Sequence, residues 1–186
     1  MKGSQFERDI CRKLSKWWTN GKREDVFWRT SSSGAMATIR KKSNKSTFGQ
    51  YGDIQAVDPI GANLLKKLSI ELKRGYSNNS FSDLLEKQKS IYWDFVKQAE
   101  KEANDSGKTF WWLIVKRDRK ETMCIMLLSL ARKLLMTDNK FRDSDIKFSI
   151  IRGLSPKQEL YTLFAIKLDD LLSIINRQTF ETFNNA

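Results

Sequence analysis

The 186-residue sequence contains no histidine, only two cysteines and two prolines, and no long apolar run. Without histidine the chain cannot build a Ser-His triad, a His-ligated metal centre or a histidine general base. Cys11 and Cys124 lie far apart and match no metal-ligand spacing, so they read as reduced core thiols and exclude zinc modules and disulfide scaffolds. Prolines and glycines are too dispersed for a low-complexity linker, and no internal repeat is visible. No apolar stretch approaches the roughly 20 residues of a bilayer span. The opening MKGSQFERD turns charged at once instead of forming a signal-peptide core. An intracellular, cytoplasmic protein without a membrane partner is the expectation.

What is present is positive charge. Thirty-four Lys and Arg against 22 Asp and Glu leave a net +12 and an isoelectric point near 9.7, which favours a polyanionic partner, nucleic acid first. The length fits a single domain that buries roughly 70% of its unfolded surface. Any catalysis must then come from carboxylates, lysines, hydroxyls or a hard metal ion.

Residues 5–18 predict an amphipathic helix with Phe6, Ile10, Cys11, Leu14, Trp17 and Trp18 on one stripe and Ser4 as N-cap. Asp25 to Thr30 reads as a strand. Residues 31–50 form a long polar segment whose Arg40, Lys41, Lys42 and Lys45 suit a phosphate backbone, or else a solvated loop. Gly52–Pro59 and Lys67–Lys73 read as two strands of a hairpin, with a helix over Leu64–Arg74 as the rival. Ser80–Ala103 predicts one long helix begun by a Ser80/Asp83 capping box. Strands are expected at about 109–115, 122–127, 146–151 and 160–166, with helices near 129–136 and 169–176.

The chemistry concentrates where charge interrupts apolar pattern. On a strand, Glu71 and Lys73 project to one face, about 7 Å apart by the strand rise, while Leu68, Ile70 and Leu72 pack inward. With Asp53 nearby, two carboxylates and a lysine could hold Mg²⁺, which takes a few oxygen ligands and keeps several waters. The bland alternative is an ordinary ion-paired strand surface with a turn aspartate. Glu7 falls inside the apolar arc of the first helix, so its carboxylate needs a partner or serves a capping box with Ser4. Gln88 sits within the stripe of the long helix, and its amide needs hydrogen-bond partners, a nearby backbone group among them. Asp58 reads as a solvent-facing carboxylate.

The ordered set KGSQFERDICRKL, WRTSSSGA, GDI, IELK and EKQK resembles the PD-(D/E)xK nuclease superfamily, and within it the archaeal-type Holliday junction resolvases and related phage nucleases. Gly52 stands where the signature has proline. The resemblance covers roughly the first 116 residues. It implies Asp53, Glu71 and Lys73 as the signature triad, Glu7 as the helix-borne acid, and Gln88 as the glutamine of the following helix. It also implies a serine hydroxyl near the scissile phosphate, with Ser33 the first choice. Asp53, Glu71, Glu7 and Leu72, which has only main-chain donors to offer, form the implied metal set. Arg29, Ser32, Arg40, Lys41, Lys42, Lys45 and Arg74 form the implied DNA contacts.

The expected fold is α/β, a restriction-endonuclease-like mixed central sheet flanked by helices. Residues 1–186 read as a single nuclease domain with a core over about 1–128, which the C-terminal strands and helix complete. The expected activity is Mg²⁺-dependent hydrolysis of DNA phosphodiesters, with Mn²⁺ able to substitute, leaving 5′-phosphate and 3′-hydroxyl ends. Branched DNA and a homodimer are the leading partners, in the host cytoplasm if the chain is phage-encoded. The alternatives are a linear-duplex restriction or repair endonuclease and a non-catalytic DNA-binding module on the same fold.

Overall fold

The computed structural model describes residues 2–30, 52–87, 89–135 and 146–185. The apolar stripe near the N-terminus makes helix α1, Lys2–Trp18, with Phe6, Ile10, Cys11, Leu14 and Trp18 buried. It begins earlier than its pattern suggests, so Ser4 lies inside the first turn and is not the N-cap. Buried Ser15 ties the helix to the chain at Val26 and Phe27: its hydroxyl donates to the Cys11 carbonyl and accepts the amides of Val26 and Phe27 at 3.1 and 3.0 Å. That anchor sets the start of strand β1, Phe27–Arg29.

Strand β2, Ile54–Ala56, pairs antiparallel with β1, Arg29 opposite Ile54, and the expected hairpin with the next strand does not form. The reason lies in the connection. The Asp58 carboxylate accepts the Ile60 amide and Pro59 opens a 3₁₀ turn, Pro59–Gly61, which runs into helix α2, Ala62–Leu65. A helical connector of this kind carries the chain out of the β1–β2 ribbon. The rival helix over Leu64–Arg74 is confined to that short segment, and Leu68–Arg74 is strand β3.

β3 is an edge strand of a five-stranded sheet ordered β3-β4-β5-β7-β6, with β4 Phe110–Lys116, β5 Thr122–Leu127, β6 Phe148–Leu154 and β7 Leu160–Lys167. β3 and β4 run parallel, and the remaining pairs are antiparallel. The expected mixed sheet flanked by helices is therefore the observed architecture. The helix predicted over Ser80–Ala103 is two helices, α3 Asp83–Glu86 and α4 Ile91–Asp105. Ser90 separates them because its extended backbone and its hydroxyl, accepting the Tyr92 amide, begin a new helix there. Asp83 does accept the Ser80 amide, at 3.1 Å.

The sheet divides the core. On one face Ile70, Leu72, Trp112, Ile114, Met126 and Ile166 pack under α1 and under the helices α5 Leu128–Leu135, α6 Leu168–Ile174 and α7 Arg177–Asn185. On the other, Trp111, Leu113, Val115, Ile125 and Leu163 pack under α4. Helix α7 was not expected; its Phe180 is fully buried, with its ring 5.6 Å from Trp112 and 6.1 Å from Trp18. Among the described residues no helix is long and apolar enough to cross a membrane.

Candidate active site

The outer edge of β3 would expose a row of unpaired main-chain groups. A single residue closes it. The Asp53 amide donates to the Ile70 carbonyl at 2.9 Å, its carbonyl accepts the Thr30 amide at 3.0 Å, and its Oδ2 accepts the Leu72 amide at 2.7 Å. Gly52 makes this approach possible: its φ is +73°, and a Cβ there would sit 2.8 Å from the Ser69 hydroxyl and 3.0 Å from the Ile70 carbonyl oxygen. Any other L-residue would push Asp53 away from the strand. Because the amide and carbonyl of one strand residue point to the same side, the Leu72 carbonyl also faces Asp53.

Glu71 alternates to the α4 face, where its side chain is only 4% exposed. Burial pushes its carboxyl up to about 7, and the nearby Asp53 charge pushes the same way, against the pull of Lys73. Lys73 Nζ donates to Glu71 Oε1 at 2.6 Å and to Gln98 Oε1 at 2.8 Å, and lies 5.5 Å from the centre of the Phe95 ring. One carboxylate, one amide and one aromatic face thus fix the ammonium. Glu102, one turn beyond Gln98 on α4, adds to the negative field on Glu71.

Glu7 finds its partner in Arg29, whose Nη1 donates to Glu7 Oε2 at 3.1 Å. The capping-box alternative for Glu7 is not what the structure shows. Glu7, Arg29 and Asp53 are all felt by the buried Cys11 thiol, which burial, then Glu7 and Asp53, push up to about 12. The thiol stays protonated and is a core group. The structure therefore groups Asp53, Glu71, Leu72 and Lys73, and sets the Glu7–Arg29 pair beside Asp53.

Other expectations fare differently. Arg74 is half-buried at the end of β3, on the face opposite Lys73, and its Nε is buried without an acceptor. Asp58 is not a solvent carboxylate, since it caps the 3₁₀ turn and pairs with Arg23 at 2.7 Å. Gln88, Ser32, Ser33, Arg40, Lys41, Lys42 and Lys45 lie outside the described residues. Gln98 and Glu102 were missed by sequence reasoning. They flank the apolar stripe of α4 at ordinary polar positions, and only their i, i+4 spacing on one flank could have drawn notice.

Two carboxylates and a main-chain carbonyl match what Mg²⁺ takes from protein, one or two carboxylates with waters completing its shell. The donor set also lacks positive charge: burial and mutual repulsion leave Glu71 hard to ionise beside Asp53, and a divalent cation between them would offset both. Among the described residues no group of three or more acidic or thiol side chains converges.

A family model described as "Phage putative PDDEXK endonuclease" matches residues 1–182. Comparison with curated proteins and with solved structures yields no match.

Proposed function

The chain belongs to this phage PDDEXK endonuclease family, and is thereby a nuclease of the PD-(D/E)xK superfamily; on that premise we propose that it is a Mg²⁺-dependent DNA endonuclease that uses Asp53, Glu71 and Lys73. The observation that carries the proposal is Asp53 Oδ2 bound to the Leu72 amide at 2.7 Å while Glu71, the preceding residue, holds Lys73 at 2.6 Å. Asp53, Glu71 and the Leu72 carbonyl would hold the ion. Bound there, Mg²⁺ would polarise the phosphodiester and acidify a water.

The chain's own groups do the rest. Lys73, fixed by Gln98 and Phe95, presents its ammonium to the attacking water or to the charge that develops on the phosphate. The Leu72 amide holds the Asp53 carboxylate against the strand by donating to it. Arg29 orients Glu7 beside the site, where Glu7 can order a water. Ser33 and Gln88 remain part of this reading by resemblance. We read residues 1–186 as one nuclease domain, acting in the cytoplasm as a homodimer on branched DNA of the Holliday junction type, in recombination or repair.

Incubation with supercoiled, linear and four-way-junction DNA, with Mg²⁺, with Mn²⁺ and with chelator, tests the proposal. Cleavage is expected with either ion, fastest on the junction, and none with chelator. Cleavage of the linear duplex at the junction's rate would replace the resolvase reading by the restriction or repair alternative. Binding without cleavage under every condition would leave a DNA-binding module.

A further inference from the structure

Beyond Lys73 the chain leaves the sheet through two loops that are stitched to each other. The Gly75 amide donates to the Lys116 carbonyl at 3.0 Å, and Arg117 Nη1 donates to the Asn79 carbonyl at 3.1 Å. Within the β4–β5 turn, Lys116 Nζ donates to the Lys120 carbonyl at 2.6 Å. Residues 75–79 and 116–120 therefore form one braced platform at the C-terminal ends of the two parallel strands.

The platform presents Tyr76, Asp118, Arg119 and Lys120 to solvent, with the Asp118 carboxylate 3.5 Å from the Ser77 hydroxyl. Tyr76 and Arg119 both have positive φ, +57° and +59°, at the turns of the two loops. Among the described residues no carboxylate pairs with Arg119 or Lys120. The Tyr76 ring is 42% exposed and stands edge-on to Phe95, centres 4.8 Å apart. Phe95 is the ring that the Lys73 ammonium contacts at 5.5 Å. The two contacts place Tyr76 within about 10 Å of that ammonium, about three nucleotide steps at ~3.4 Å each.

An exposed aromatic ring and paired cations on a rigid support, a few nucleotides from a phosphodiester-cleaving site, match the chemistry of an unpaired nucleic-acid strand: phosphates on the cations, a base on the ring. We propose that this platform grips the DNA strand flanking the scissile phosphate, Arg119 and Lys120 binding its phosphates and Tyr76 stacking on an unpaired base within about three nucleotides of the cut. The inference rests on the nuclease reading above and adds its substrate feature, a discontinuity of base pairing next to the cleavage position. It assigns part of the positive charge to residues that carry no catalytic role.

The test uses the full chain and a synthetic duplex with a short unpaired stretch beside the cut, carrying 2-aminopurine there, with the fully paired duplex as comparison. In wild type the fluorescence is expected to fall on binding, and the gapped substrate to bind at least tenfold more tightly. Tyr76→Leu keeps an apolar cover on Phe95 but offers no aromatic face; it should lose both the quench and the preference, and Tyr76→Phe should retain both. Arg119→Ala with Lys120→Ala should lower the slope of log affinity against log salt by about 1.4 to 1.8, at about 0.7 to 0.9 per phosphate contact. An unchanged salt slope, or a Tyr76→Leu protein with wild-type quench and preference, overturns the platform while the nuclease reading stands. A wild-type protein that cleaves no DNA with Mg²⁺ overturns both.

Discussion

Two carboxylate–cation pairs of nearly equal length, Glu71–Lys73 at 2.6 Å and Asp58–Arg23 at 2.7 Å, lie on either side of the same short stretch of chain. They differ in burial. The side chains of the first pair are 4% and 16% exposed, those of the second 26% and 41%. The Ile60 amide and Arg23 hold the Asp58 carboxyl below its ordinary range. Glu71 is pushed the opposite way, by burial and by Asp53. Equal geometry thus gives a stable surface brace in one place and, in the other, a carboxylate that one lysine does not fully neutralise. That residual deficit is what supports the proposal of a divalent cation at the inner pair.

The sharpest way to break this comparison is to remove the charge that makes the inner pair incomplete. Asp53→Asn should lower Mg²⁺-dependent cleavage at least about a hundredfold, since a metal's Lewis-acid role is worth several kcal/mol and each 1.36 kcal/mol is about tenfold in rate. Filter binding should show DNA affinity unchanged or improved. Lys73→Met should cost as much in rate while Mg²⁺ binding, followed calorimetrically, persists. Gly52→Ala alters no charge, yet its Cβ would meet the Ser69 hydroxyl and Ile70 carbonyl and displace Asp53, so a loss of at least about tenfold in rate is expected. Wild-type cleavage by this variant would mean that the close approach of Gly52 to β3 is dispensable.

The pH dependence sharpens the same contrast. A raised folded carboxyl pKa means that the metal-free protein is most stable below the ordinary value of 4.5 and loses up to about 3 kcal/mol from this group as pH rises through about 7. Mg²⁺ should restore that stability above pH 7, read as a rise in melting temperature. Cleavage should rise up to about tenfold per pH unit below about 7 and then level. Smallest of all, Asp58→Asn should lower the melting temperature by a few degrees at most and leave the cleavage rate within about twofold. A large loss of activity there would erase the distinction between the two pairs.

Strand β3 was legible because its alternation is local: Leu68, Ile70 and Leu72 against Ser69, Glu71 and Lys73 requires no knowledge of the rest of the chain. Glu7 was legible for the same reason, as a carboxylate inside an apolar helical arc. What pairs with what was not. Asp53 meets β3 without belonging to a hairpin, and β2 pairs with a strand some 27 residues earlier, so the local run from Gly52 to Lys73 suggested a neighbour that tertiary packing overrode. Asp58 was misjudged because its role depends on Arg23 and on the Pro59 turn together. Helix α7 escaped notice because RQTFETFNN is short and its amphipathic pattern rests on only two phenylalanines, Phe180 and Phe183, of which Phe180 meets Trp18 and Trp112. Gln98 shows its role only once α4 lies beside β3.

The most direct test of the central claim is the single-turnover cleavage rate of Glu71→Gln with Mg²⁺, measured beside wild type on the DNA that wild type cleaves best. Glutamine keeps the shape and removes the charge. The expected result is a fall of at least about a hundredfold with DNA binding intact and with the dependence on pH near 7 abolished. Cleavage at the wild-type rate would contradict the assignment of Asp53, Glu71 and Lys73 as the catalytic set.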